Sequence, residues 1–552
     1  MRTPAIVVLS LMLAASIAVA QAQGASGAGP SVAPGEPEIV LPQQILQIED
    51  LSVEKVEAQL PPGDELLPPE RKIPVLDEGD LAISEPALPA AGVVTEAPGT
   101  PTGDHLLASD IDLGAGSLNR ILGSISLKTT GKDPRFSLLF HHETLDGFAG
   151  NPLGSGFNLR DDDLDGSLKF RMGIVDTELG GHFSEHEQGL QGQSPFLSAL
   201  GRTLGGTVGF SAVPLDWLTL NAGVSGGADS LTLQGGSPPT FTGYWFTPLL
   251  GAKARVGPMR FGLETRYWFR FDPSTTPGSV TVPGGALNRF QALATIGADL
   301  PAGFTLDGSG GWFVNGASLA VFPFSLMVSA APVQFLTFSI SGGYRVVTYD
   351  MHDLMAVSPY ALPVSIPDDH GWFGSASLQL SLGRDFLVTF KGDFMASEAM
   401  PVGSFAPDPG TGLLEVSAAS TLRQQLSSEA GLRWIISPSF TLTAGWTHQY
   451  LFVPFFVPFD SLKLELLGLE PAGRFGGSFS MVLASATDVS AAQVLQLPVA
   501  RLSGFVKVSD AVRLQVEGDD LLWPLLPGGA RVDVGPFVEP GFRVSASIGI
   551  SL

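Results

Sequence analysis

From about residue 105 onward, polar and apolar residues alternate with a period of two, which predicts β-strands with unlike faces. In the segment 259–271, Met259, Phe261, Leu263, Tyr267, Phe269 and Phe271 fall on one side, and Arg260, Glu264, Arg266 and Arg270 on the other. Thr265 and Trp268 are exceptions to that chemistry. Segment 439–450 sets Phe440, Leu442, Ala444, Trp446 and Tyr450, with His448 among them, against Thr441, Thr443, Gly445, Thr447 and Gln449. Leu336, Phe338, Ile340, Tyr344 and Val346 oppose Thr337, Ser339, Ser341 and Arg345, and residues 386–394 repeat the pattern with Lys391 and Asp393 on the polar side. Aromatic rings opposite charges are what hydrocarbon outside and water or packed polar groups inside require. A soluble β-sandwich also alternates, but it has no use for so many Phe-rich faces.

Turn signals order the strands. They stand at Gly131, Gly173, Val213, Val256, Leu300, Ala331, Gly383, Ser437 and Ser509, where Pro, Gly and Asp supply turn chemistry. Most are about 40 to 55 residues apart, an interval filled by two strands of about 10 residues and one long polar loop. Nine such turns imply 20 strands. A further hairpin near residues 484–489 raises the number to 22, and residues 106–127 supply the first two strands. The expectation is a large antiparallel transmembrane β-barrel, all-β, with short turns and both chain ends on the periplasmic side.

The 67 Gly and 43 Pro weaken helices throughout. Past the N-terminus no run of eighteen uncharged apolar residues occurs, which excludes helical spans. Residues 1–22 combine Arg2, an apolar stretch from Ile6 to Val19 and small residues at a cleavage site, as a secretory signal peptide does. Residues 23–104 are rich in Pro and hold fifteen acidic residues against Lys55, Arg71 and Lys72. That segment carries half of the net charge of −24 and is expected to be an extended periplasmic tether. Within it, Ile45, Ile48, Leu51, Val56 and Leu60 would line one side of a short helix, so residues 38–60 are a candidate contact for a periplasmic protein. The chain has no cysteine, which removes disulfides, thiol catalysis and lipidation at cysteine. Nucleic acid is excluded as a partner for want of a basic surface.

About 445 residues of barrel with 20 to 22 strands resembles the barrel half of the TonB-dependent receptors, over residues 105–552. The resemblance rests on strand number, parity and loop asymmetry. That family carries a globular plug before its barrel. Here the pre-barrel region is about 80 residues and Pro-rich, too short and irregular, so the resemblance implies a relative without a plug. Glu38, Ile39, Val40 and Leu41 resemble the acidic-apolar box that such receptors offer to TonB. The final strand, with Phe542, Val544, Ala546, Ile548, Ile550 and Leu552 outward, resembles the signal read by the barrel-assembly machinery, although that pattern prefers a terminal aromatic. The implied partners are the outer-membrane bilayer and that machinery.

Arg260, Glu264, Arg266, Arg270, Arg345, Lys391, Asp393 and Arg543 are the candidate lumen-facing charges, either lining a pore or pairing across it. Asp161, Asp163 and Asp165, in a stretch that reads as a loop before Gly166, resemble the first half of a calcium site, but Met172 stands where the closing acid belongs. His141, His142 and Glu143, and His182, His186 and Glu187, have ligand chemistry without a zinc spacing, and read as polar residues near strand ends. No Ser-His-acid set is discernible and nothing calls for a cofactor, so the chain is not expected to be an enzyme. The expected function is solute uptake or passive passage. The alternative is an anchor or assembly component that recruits a periplasmic partner through its tether.

Overall fold

The computed structural model describes residues 107–129, 133–235, 240–273, 285–317, 319–362, 366–451, 458–485, 498–525 and 535–552. The signal-peptide, tether and TonB-box expectations lie outside them. Among the described residues there are twenty-five strands. The first eight are β1 (Leu107–Gly116), β2 (Ile121–Thr129), β3 (Arg135–Asp146), β4 (Asn158–Met172), β5 (Val175–Gly189), β6 (Ser198–Leu215), β7 (Leu218–Gln234) and β8 (Thr240–Val256). Then come β9 (Met259–Asp272), β10 (Gly285–Leu300), β11 (Phe304–Asn315), β12 (Ala320–Val321), β13 (Phe324–Val333), β14 (Leu336–Val347), β15 (Asp369–Leu382) and β16 (Phe386–Ser397). The rest are β17 (Pro401–Pro407), β18 (Leu414–Ala418), β19 (Arg423–Ser437), β20 (Phe440–Leu451), β21 (Asp460–Leu469), β22 (Phe475–Ala484), β23 (Val499–Lys507), β24 (Val512–Asp519) and β25 (Arg543–Ser551).

Each wall strand pairs antiparallel with its neighbours in sequence, and β25 returns to β1 with Asp110 opposite Ser551 and Gly116 opposite Ser545. Ser109 and Leu552 exchange both backbone hydrogen bonds at 2.8 and 3.0 Å, finishing the seam. Twenty-two strands therefore close a barrel. The two-residue β12 adds only a fringe to β11, and β17 and β18 form a separate hairpin. Closure leaves no unpaired edge, the condition under which a sheet survives in hydrocarbon. No helix among the described residues is long and apolar enough to cross a membrane; the strands do the crossing.

The turns lie within a few residues of their sequence signals. Two-residue connections follow β4 and β8, with Gly173 and Gly257 at φ of +63° and +59°, a region L side chains avoid. The further hairpin turns at 470–474, not near 484–489, where β22 ends and a long connection begins, and it decides for 22 strands. The turn reads Glu-Pro-Ala-Gly-Arg, and its Pro-Ala-Gly repeats the residues of the turn at 301–303. The other end of the barrel holds the longer connections, with 348–368, 398–422 and 520–542 the longest. Strand length runs from 8 to 18 residues rather than about 10, because β4 to β8 continue beyond the thickness a membrane needs.

The two faces follow the pleat. Phe140, Leu164, Phe183, Leu204, Ala228 and Tyr244 stand in register on β3 to β8 of the outer face, with Leu204 55% exposed. One pleat nearer the long connections, His142, Asp162, Glu185 and Arg202 form a charged row on the same face. Arg160 reaches Asp162 at 2.6 Å and Glu185 at 3.2 Å, and Arg202 reaches Glu185 at 2.6 Å. The apolar belt therefore ends there: hydrocarbon tolerates the first row, while the second belongs to the polar headgroup layer.

Candidate functional site: a capped lumen

Inside the wall, register builds two rows that matter here across β3 to β9. The middle row runs Leu139, Asp165, His182, Gly205, Gly227, Trp245 and Arg270, each opposite the next. The row nearer the periplasmic turns is Ser137, Ser167, Gly180, Thr207, Ser225 and Thr247, hydroxyls apart from one glycine. Ser137 and Ser167 hydroxyls lie 2.7 Å apart. Residues of these two rows, Gly227 excepted, line with Arg266, Trp268, Asp350 and Asp353 a partly open cavity of about 770 Å³.

Trp245 owes its pose to two glycines. A Cβ built on Gly205 would lie 3.2 Å from the indole, and one on Gly227 would lie 2.9 Å from it. The ring thus lies back over bare backbone and spreads along the wall instead of standing up from it. Beyond its far edge, His182 Nδ1 lies 2.7 Å from an Asp165 carboxylate oxygen. At the other end Arg270, 5% exposed, meets Asp229 at 3.1 Å and Asp272 at 2.9 Å. Buried charges need such partners, since an unpaired guanidinium in a low dielectric costs several kcal/mol.

The roof of this cavity comes from the long connections, which fold into the mouth. Residues 348–368 carry α1 (Met351–Val357), begun by a capping box in which the Asp350 backbone N–H donates to the Asp353 carboxylate at 2.8 Å. Met351, Leu354, Tyr360, Leu362 and Ile366 pack with Leu413, Leu414 and Val416 of the connection after β16, and with Phe537 of the connection before β25. Leu190, Leu231, Leu233 and Phe241 join them from the β5–β6 connection and the ends of β7 and β8. Burying side chains of this size contributes about 1.5–3 kcal/mol each. The connections were expected to be polar. They carry apolar residues because they bury one another.

Polar contacts fasten this cap to the wall. Arg289 of β10, 3% exposed, pairs with Asp350 at 3.0 Å and Asp368 at 2.7 Å, clamping both ends of the α1 connection. Asn315 donates to Asp368 at 2.7 Å. The Tyr360 ring stacks on Phe537 with centroids 3.6 Å apart, and its hydroxyl accepts from Gln188 at 2.7 Å. Gln191 closes the third side, donating to the Val538 carbonyl at 2.9 Å and accepting from its N–H at 2.8 Å. Burial beside the cap pushes the Tyr349 phenol up to about 12.

Of the eight candidate charges, the structure brings Arg266 and Arg270 to the cavity wall. Arg266 pairs with Glu264 at 3.0 Å and lies 5.4 Å over the Trp268 ring. Trp268, an exception by chemistry, obeys the pleat: it shares the face of the arginines and packs against buried Phe313 with centroids 6.5 Å apart. The other candidates stand elsewhere around the wall. Arg260 meets Asp307 at 3.0 Å and Asp299 at 3.3 Å, Lys391 meets Asp393 at 3.1 Å, and Arg543 meets Asp519 at 3.1 Å. Arg345 instead lies 5.2 Å over the Phe373 ring. Seven of the eight thus have an opposite charge within 4 Å, so structural bracing accounts for much of the set.

The stretch 160–166 is not a loop but part of β4, which corrects the calcium expectation. An extended strand spaces Asp161, Asp163 and Asp165 along its length, where they cannot converge on one ion. Each faces histidines instead: His186 lies 2.7 Å from Asp161 and 3.8 Å from Asp163. His182 is also mid-strand in β5 rather than near an end. Among the described residues no group of three or more ligating side chains is placed to hold a metal. Sequence reasoning missed Arg289, Trp245 and the whole cap. The Gly-rich runs around 205 and 227 were the available signal for Trp245.

No protein-family model matches the chain, and no curated protein matches it in sequence. Solved structures do match its shape. A mutant of the ferric enterobactin receptor from Pseudomonas aeruginosa superposes with a TM-score of 0.61 over 81% of this chain and 80% of that one, at 11% identity. The chain has the barrel fold of the TonB-dependent receptors. The siderophore receptor PirA from Acinetobacter baumannii gives 0.62 at 8% identity, covering 81% and 80%. The FrpB iron transporter from Neisseria meningitidis gives 0.62 at 9% identity, covering 81% and 82%. With its closed 22-strand wall and apolar outer belt, the protein is an outer-membrane β-barrel.

Proposed function

We propose that this barrel takes small solutes across the outer membrane as a relative of the TonB-dependent receptors and does no covalent chemistry. The observation that carries the reading is the capped cavity. Within the wall of 22 strands lies a chamber of about 770 Å³ with a mixed apolar and polar lining, and connections pinned by Arg289 cover it on the side of the long loops. A barrel serving only as a membrane anchor needs neither a chamber nor a cap built from distant parts of the chain. The neighbouring folds are named as receptors and transporters, which supports the same class. In this reading Glu38, Ile39, Val40 and Leu41 offer the energised partner its contact, and residues 23–104 reach into the periplasm.

Planar-bilayer recordings of the full chain and of a chain starting at residue 105 test it. Stepwise conductance in either form, larger when Arg289→Ala releases the cap, is the expected result. Silence in all forms, with a periplasmic protein retained by the full chain and lost on truncation, would instead establish the anchor.

A further inference from the structure

We infer that the chamber beneath the cap is a binding site for a small saccharide, received face-on by Trp245. This rests on the uptake reading and names the chemical class it serves.

The argument begins with the indole. It reaches across the wall with its benzo edge against Gly205 and Gly227, and it lines the cavity as an apolar ring. A pyranose has a matching face of C–H groups, and its equatorial hydroxyls project sideways around the ring. On this wall, the positions beside the indole carry hydrogen-bonding groups. Ser137, Ser167, Thr207, Ser225 and Thr247 form the neighbouring row on the periplasmic side, each hydroxyl able both to donate and to accept. Asp165 with His182 lies beyond one edge and Arg270 beyond the other. Apolar walls with a few placed polar groups, in a volume of about 300–1,000 Å³, are the ordinary form of a small-ligand site.

Charge excludes the obvious competitor. Asp165, Asp229, Asp350 and Asp353 outnumber Arg266 and Arg270 among the lining residues, and both arginines already have carboxylate partners. An anionic metal chelate would enter against that balance. A flat nucleobase would stack on the indole, but its few edge groups match fewer of the row's hydroxyls than a polyol does. A neutral polyol satisfies both surfaces.

Calorimetric titration of the full-length protein in detergent tests the inference, with glucose, maltose and sucrose as probes, and ferric citrate and adenine as counter-probes. Binding of at least one saccharide is expected, with neither counter-probe competing. Trp245→Ala should weaken it about tenfold, equivalent to about 1.4 kcal/mol, while Trp245→Phe, which keeps a flat ring, should lose much less. Gly205→Ala, which lifts the indole off its bed without removing it, should also weaken binding. Heat-modifiable migration of each variant in gels separates loss of binding from loss of the barrel. Absence of saccharide binding, preference for ferric citrate or adenine, or a folded Trp245→Ala variant of unchanged affinity overturns the assignment. Conductance without saccharide binding would discard the chamber's ligand and keep transport; binding without conductance would do the reverse.

Discussion

The wall and the cap of this barrel are held together by different physics. In the wall every strand binds its neighbours through backbone pairs, and side chains only choose which face meets lipid. In the cap, three connections are held mainly by buried side chains and a few charged straps, with one short backbone bridge between Ala361 and Leu414. A wall strand tolerates the loss of any one side chain because its ladder persists. Among the described residues, backbone pairing in the cap is limited to the β17–β18 hairpin and the bridge between Ala361 and Leu414, so single side chains carry more of it. Sequence-local rules therefore describe the first region well and the second poorly.

The sharpest way to break the comparison is at Arg289. Arg289→Met leaves the buried Asp368 and the part-exposed Asp350 without their cation and should cost the cap about 3–5 kcal/mol. Limited proteolysis should cut 348–368 while the barrel still migrates as a folded, heat-modifiable species. If the barrel itself unfolds, wall and cap are not separable. Next in size is Leu413→Ala, which opens a cavity in the cap and should cost about 2–5 kcal/mol there. Hydrogen exchange should quicken in the three connections and stay unchanged in β9 to β11. On the wall, Ile340→Arg puts a charge on the outer belt at a position 60% exposed and should destabilise the barrel by about 2–4 kcal/mol. That loss should appear in denaturant refolding into lipid vesicles, with proteolysis of the connections unaffected. Smallest is Lys169→Ala, which removes a half-exposed pair with Glu178 and should change stability by less than about 1 kcal/mol.

Residues 259–271 show why the wall was legible in the sequence. Their alternation already separates Phe261 and Leu263 from Arg260 and Arg270, because a pleat has only two sides. The further hairpin was placed near 484–489 although the Pro-Ala-Gly at 471–473 matches a turn that was recognised, so that error was one of position, not of number. The aspartates of 160–166 were the right residues in the wrong element: acids in a row suggest a loop until cross-strand histidines give them partners. The cap was out of reach for a deeper reason. Tyr360 and Phe537 are far apart in sequence and sit in aperiodic segments, and nothing local announces that they stack. The chamber is similar, since its rows exist only once the register of seven strands is known.

The stacking of Tyr360 on Phe537 has a bearing on how the protein is made. Phe537 lies just before the last strand, and β25 is the strand that joins β1. The stack therefore has both its members near their places only as the cylinder becomes continuous. A nascent barrel still open along that seam would have an unsealed mouth, and completing the lid is tied to completing the circle.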